Sequence, residues 1–186
     1  HRDLHSFPTR RSSDLLREAI VEKGIPVLAT SSTCTFTLRD EYPHLLDVDN
    51  TGLREHIELA TRFLWRKLDS GQTLPLGKLP LKVVYHTPCH MEKMGWSLYT
   101  LELLRLIPGL ELTVLDSRCC GIAGTYGFKR ENYETSQAIG APLFRQIEES
   151  GADIVVTDCE TCKWQIEMST SKRCEHPITL LAKALG

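Results

Sequence analysis

"GADIVVTDCETCKW", residues 151–164, carries a glycine, a short β-branched run, a polar loop and a Cys-x-x-Cys pair. The run "DIVVT" (153–157) reads as a buried strand, and "TCKWQIEMSTS" (161–171) after it reads as a helix. Working outward, "KVVYH" (82–86) and "ELTVL" (111–115) read as two more strands. Between the strands lie "GWSLYTLELLRLIPG" (95–109), ended by Pro108–Gly109, and "RENYETSQAIGAPLFRQIEESG" (130–151). The latter is expected to break around Gly140–Pro142. "PITLLAKAL" (177–185) closes the chain as a helix. Alternating strands and helices predict an α/β, Rossmann-like parallel sheet with right-handed crossovers.

The cysteines give that sheet a purpose. Cys89 follows the strand at 82–86, Cys119 and Cys120 follow the strand at 111–115, and Cys159 and Cys162 follow the strand at 153–157. All five lie beyond the carboxyl ends of predicted parallel strands, where loops of an open α/β sheet converge on one crevice. A structural zinc site takes four ligands at tetrahedral corners. Contiguous thiolates are awkward on one ion and suit a multi-iron cluster, whose neighbouring irons can share them. A redox dithiol explains the Cys-x-x-Cys but neither the Cys-Cys pair nor Cys89. The pattern favours an iron–sulfur cluster, with zinc the main rival. His86 and His90 flank "TPC" as ligand or proton-donor candidates, although a strand-end histidine is more often structural. Cys174 reads as a surface or packed free thiol, and Tyr126 and Phe128 as packing residues. Gly121 and Gly124 either let backbone N–H groups approach sulfur or simply form a tight turn.

The remainder of the chain echoes this unit. "GIPVLATSSTCTF" (24–36) repeats the glycine, strand and Thr-Cys loop, with Ser31 or Ser32 where the second copy has Cys159. "LLREAIVEKG" (15–24) reads as a helix end, and "SSTCTFTLRDEYPHLL" (31–46) as a loop and a short helix broken near Pro43. "NTGLREHIELATRFLWRKLDSG" (50–71) reads as one amphipathic helix with Leu53, Ile57, Ala60, Leu64 and Leu68 on a face. The Pro/Gly-rich "SGQTLPLGKLPLK" (70–82) is the expected boundary. Residues 16–70 are thus expected to be the remnant of a first repeat, and 71–186 the second domain. "HRDLHSFPTRRSSDL" (1–15) resembles the translation of a sequencing adapter, is expected to be an assembly artefact, and makes the chain a C-terminal fragment.

Composition excludes other classes. The chain has 186 residues, a net charge of −2 and 25% charged residues, which gives no electrostatic case for nucleic acid. No apolar run approaches the roughly 20 residues of a membrane helix. Any membrane association would be peripheral or through a partner. Seven cysteines, an odd number with no secretory signal, favour a reducing compartment. No GxGxxG fingerprint follows a strand, and no Ser-His-Asp signature is present.

"HTPCHMEK", "CCGIAGTYGF" and "TDCETCKW" together resemble the CCG, or cysteine-rich, domain found in the B subunit of heterodisulfide reductase and its relatives. The resemblance is closer still to the branch of C subunits of bacterial anaerobic glycerol-3-phosphate dehydrogenases. It implies paired CCG repeats and a [4Fe–4S] cluster, of non-cubane type in the reductase. The ligands it implies here are Cys89, Cys119, Cys120, Cys159 and Cys162, with Cys34 left from a first repeat whose own cluster is in doubt. It further implies an electron carrier between a flavin-containing (FAD/FMN) catalytic dimer and membrane quinone (menaquinone). The carrier would help hold that dimer at the cytoplasmic face of the inner membrane, with no transmembrane helix. Two other readings stay open: a reductase acting on disulfides through its own cluster, and a zinc-stabilised interaction module.

Overall fold

A computed structural model describes residues 14–46 and 49–186; the adapter-like stretch lies outside them except for Asp14 and Leu15. The chain forms two compact units that part between Phe63 and Leu64.

In the first unit, helical residues 14–22 end before Gly24, whose φ of +65° suits the left-handed turn that follows. Strand β1 (Val27–Ala29) pairs in parallel with β2 (Ile57–Leu59), Val27 opposite Ile57. Between them α1 (Ser32–Phe36) passes through a π turn (Thr37–Glu41) into α2 (Tyr42–Leu46). The expected loop after β1 is therefore helical from Ser32. The helical run continues through Pro43, which stands just after the widened π turn. A small core joins Ile20, Leu53 and Ile57.

The single helix expected over 50–71 is also corrected. Residues Arg54–His56 form a 3-10 turn, Ile57–Leu59 are strand, and only Ala60–Asp69 (α3) is α-helix. The reason lies in Arg39. Its buried guanidinium donates to the carbonyls of Arg54 and of Ile57 (2.7 Å), which a helix would have used internally. Asn50 locks Arg39 from behind, its amide donating to the Arg39 carbonyl at 2.6 Å.

The second unit holds four parallel strands: β3 (Lys82–Tyr85), β4 (Glu111–Val114), β5 (Ile154–Val156) and β6 (Cys174–Glu175). Their spatial order is β4-β3-β5-β6. The α/β expectation with a parallel sheet holds; β6, only two residues long, left no periodic signal. Helices α4 (Cys89–Met94), α5 (Ser97–Arg105), α6 (Tyr133–Glu149), α7 (Glu160–Ser169) and α8 (Pro177–Leu185) complete it. Val84 and Val155 face one core with Leu143, Ile147 and Ile166 of α6 and α7. Val83, Tyr85 and Val156 face the other, with Leu103 and Leu104 of α5 and Leu180 and Leu181 of α8. Alternating side chains of central strands thus bury both faces of the sheet. Each fully buried Val or Leu contributes about 1.5–3 kcal/mol.

Two details position the site. Residues 72–81 run extended but are tied to this unit. Gly77 donates to the Ala184 carbonyl (2.6 Å), Leu79 donates to that of Pro108 (2.8 Å), and Leu76, Leu79 and Leu81 pack on its core. Pro142, expected to interrupt its helix, sits inside a continuous α6. That helix is held by tertiary packing: Leu143 and Ile147 are fully buried on either side of Phe144 in the same core.

Candidate metal centre

Three loops leave the carboxyl ends of adjacent strands β4, β3 and β5, and each delivers thiols to the same edge of the sheet. After β3, His86 donates its backbone N–H to the Val156 carbonyl at 2.9 Å, which fixes the histidine at the sheet's end. Pro88, extended at φ −65° and ψ 148°, caps α4, and Cys89 is that helix's first residue. After β4 the chain is irregular through Cys119, Cys120 and Gly121. After β5, Cys159 occupies the N-cap of α7 with extended backbone, and Cys162 lies in that helix's first turn. The positive end of a helix dipole favours thiolate there.

The adjacent pair after β4 resolves into an inner and an outer thiol. Cys120 is 3% exposed, whereas Cys119 is exposed. Gly121, at φ +89°, makes this possible, and its N–H donates to Cys119 Sγ at 3.3 Å. A Cβ at Gly121 would lie 2.0 Å from the Ser136 carbonyl oxygen, so only glycine fits. Ser136 Oγ donates to the Gly121 carbonyl (2.9 Å) and accepts from Gln165 Nε2 (3.0 Å), clamping the loop onto α6 and α7. Gly140 completes the seat, since a Cβ there would come within 2.5 Å of the Cys120 carbonyl.

The sulfurs converge. Cys120 Sγ and Cys162 Sγ are 3.3 Å apart, and His86 offers a ring nitrogen within 4.8 Å of both. Hydrogen bonds from Cys119 and Cys162 hold the Cys120 thiol well below its usual range, and His86 beside it adds to the effect. The same bonds push Cys119 and Cys162 up, Cys162 also through Cys159. Burial raises the Cys89 thiol, as does negative charge on Cys120 and Cys159. The five predicted cysteines are thus electrostatic neighbours on three loops. Cys34 lies in the first unit, exposed, in α1. Cys174 is a packed thiol in β6, pushed up to about 12 by burial. Tyr126 and Phe128, expected to pack, stay largely exposed; Phe128 meets Trp164 edge-on with ring centroids 6.1 Å apart.

The sequence offered His86 as a ligand or proton-donor candidate, whereas Asp158 escaped it. His86 is 2% exposed, and neither ring nitrogen has a hydrogen-bond partner of normal geometry among the described residues. Leaving such a group unpaired costs about 1–3 kcal/mol, so the ring suits a site where a partner stands beside the sulfurs. The signal was its place one residue past β3 and three before Cys89. Asp158, beside Cys159, is fully buried and accepts from Tyr85 Oη (2.6 Å) and Thr100 Oγ1 (3.0 Å). Burial raises its carboxyl above the ordinary range, against the pull of Tyr85. Five soft thiol donors with an orphaned imidazole fit a thiophilic metal centre.

Residues 83–167 match the family described as the Cysteine-rich domain, CCG. The chain is 86% identical over 171 residues to the C subunit of anaerobic glycerol-3-phosphate dehydrogenase of Escherichia coli (strain K12), covering 92% of this chain and 43% of that protein. It is 32% identical over 173 residues to an uncharacterized iron–sulfur protein of Methanocaldococcus jannaschii, covering 92% of this chain and 32% of that protein. Lactate utilization protein A of Bacillus licheniformis is 32% identical over 146 residues, 72% of this chain and 58% of that protein. The chain spans less than half the length of the first two. The resemblance read from the three cysteine motifs is borne out.

Proposed function

We propose that this chain belongs to an iron–sulfur electron-transfer subunit of an anaerobic glycerol-3-phosphate dehydrogenase. In this reading it relays electrons from flavin-containing catalytic subunits to membrane menaquinone and helps hold them at the cytoplasmic face of the inner membrane. The observation that carries the reading is the gathering of Cys89, Cys119, Cys120, Cys159 and Cys162 at one sheet edge. The high identity to a dehydrogenase C subunit supports the partner assignment. No helix among the described residues is long and apolar enough to cross a membrane. Residues 16–70 are read as the end of a first CCG repeat and 71–186 as the second.

The five cysteines would hold a [4Fe–4S] cluster, which when bound supplies one-electron redox chemistry. Cys120, Cys159 and Cys162 are buried and keep water from its inner side. Cys89 and Cys119 are exposed and form the rim where a partner's electron carrier can approach. Loading requires the thiols to give up their protons, and the hydrogen bonds that Cys120 receives favour its thiolate. The Gly121 N–H, pointed at the Cys119 sulfur, offsets thiolate charge at the rim.

The test is reconstitution of the whole protein with its flavoprotein partners. Glycerol 3-phosphate should drive reduction of a menaquinone analogue only when the protein is present, and Cys120→Ser should abolish it. Quinone reduction that is undiminished without the protein contradicts the relay. Turnover of a heterodisulfide by the protein alone would instead make it a reductase in its own right.

A further inference from the structure

We propose that His86 is a positioning residue of the metal centre, its imidazole donating a ring N–H to the Cys120 sulfur once the centre is loaded. The inference rests on the cluster reading above and deepens it. The histidine is anchored at its backbone by the Val156 carbonyl, which sets its Cα at the sheet's end. It is 2% exposed, and neither ring nitrogen makes a hydrogen bond of normal geometry among the described residues. One of them lies within 4.8 Å of the Cys120 and Cys162 sulfurs, themselves 3.3 Å apart. A neutral imidazole carries one N–H, and a thiolate is a strong acceptor for it. Cys120 is the buried, inner thiol of the contiguous pair, its backbone carbonyl lies close to Gly140, and its sulfur is an acceptor close to the ring. Five thiolates already serve the metal, so a nitrogen ligand is not needed. A hydrogen bond to a ligand sulfur withdraws charge from it and raises the reduction potential of the centre.

The experiment compares wild type, His86→Leu and His86→Gln in the full chain, purified without oxygen. Iron content and an EPR-monitored redox titration are read together. The expected result is unchanged iron in both variants, a more negative potential in His86→Leu, and partial recovery in His86→Gln, whose amide restores an N–H. A potential that does not move in His86→Leu overturns the proposal, as does iron lost from both variants. Strong nitrogen hyperfine coupling from 15N-histidine in the wild type would make His86 a ligand and overturn it too. Should the wild type hold zinc rather than iron, the cluster reading fails separately. The hydrogen bond is then read in the cobalt-substituted chain, where His86→Leu should shift the thiolate-to-cobalt charge-transfer bands and an unshifted spectrum contradicts it. A wild type that takes up neither iron nor cobalt overturns both.

Discussion

Residues 27–36 and 154–164 build the same local structure for different ends. Each is a three-residue parallel strand followed by an extended N-cap and a helix with a cysteine three residues after the cap. In the first, the cap is Ser31, whose hydroxyl accepts from the Cys34 N–H at 3.4 Å. In the second it is Cys159, which makes no capping bond and instead meets Thr161 Oγ1 at 3.2 Å. A serine cap is worth about 0.5–2 kcal/mol over a residue that cannot cap. The second unit forgoes that gain and places a buried thiol where it joins Cys162 and Cys120. The first keeps the cap, and its lone cysteine stays exposed. The comparison separates an exposed thiol behind a serine cap from a buried thiol that joins other sulfurs.

The largest expected effect comes from making the second region resemble the first. Cys159→Ser should remove essentially all bound iron, while Cys34→Ser should leave iron content unchanged; equal losses would break the distinction. Next is the cysteine loop that seats on α6. Gly121→Ala should destabilise the second unit by about 3 kcal/mol or more, since it meets both a left-handed φ and a backbone oxygen. Gly124, at φ +65° with nothing within 4 Å, is the control: Gly124→Ala should cost about 1–2 kcal/mol. Urea unfolding of the whole chain distinguishes them, and similar losses would mean that the loop is not clamped. The smallest effect separates the two caps. Ser31→Ala should cost about 1 kcal/mol, whereas Cys159→Ser in the metal-free chain should gain stability of similar size. A loss in the second case would show the thiol to be structural.

Much of this was legible in the sequence. Strands β3, β4 and β5 declare themselves as short apolar runs, and the cysteines follow each by a few residues, so their convergence follows from parallel topology. The end of the first unit was not legible. Leu53, Ile57 and Ala60 satisfy helical spacing, and the choice of strand at 57–59 is made by Arg39, whose guanidinium takes carbonyls 15 and 18 residues away. The buried bond between Tyr85 and Asp158 spans 73 residues and has no local trace. His86 lay in plain view next to a cysteine motif, but only its burial and its unpaired nitrogens separate it from an ordinary strand-end histidine.

The central claim is that five thiols on three loops hold one iron–sulfur cluster. Iron, acid-labile sulfide and zinc content of the chain, purified without oxygen, tests it most directly. The account predicts about four irons and four sulfides per chain and no zinc. One zinc and no sulfide would contradict it.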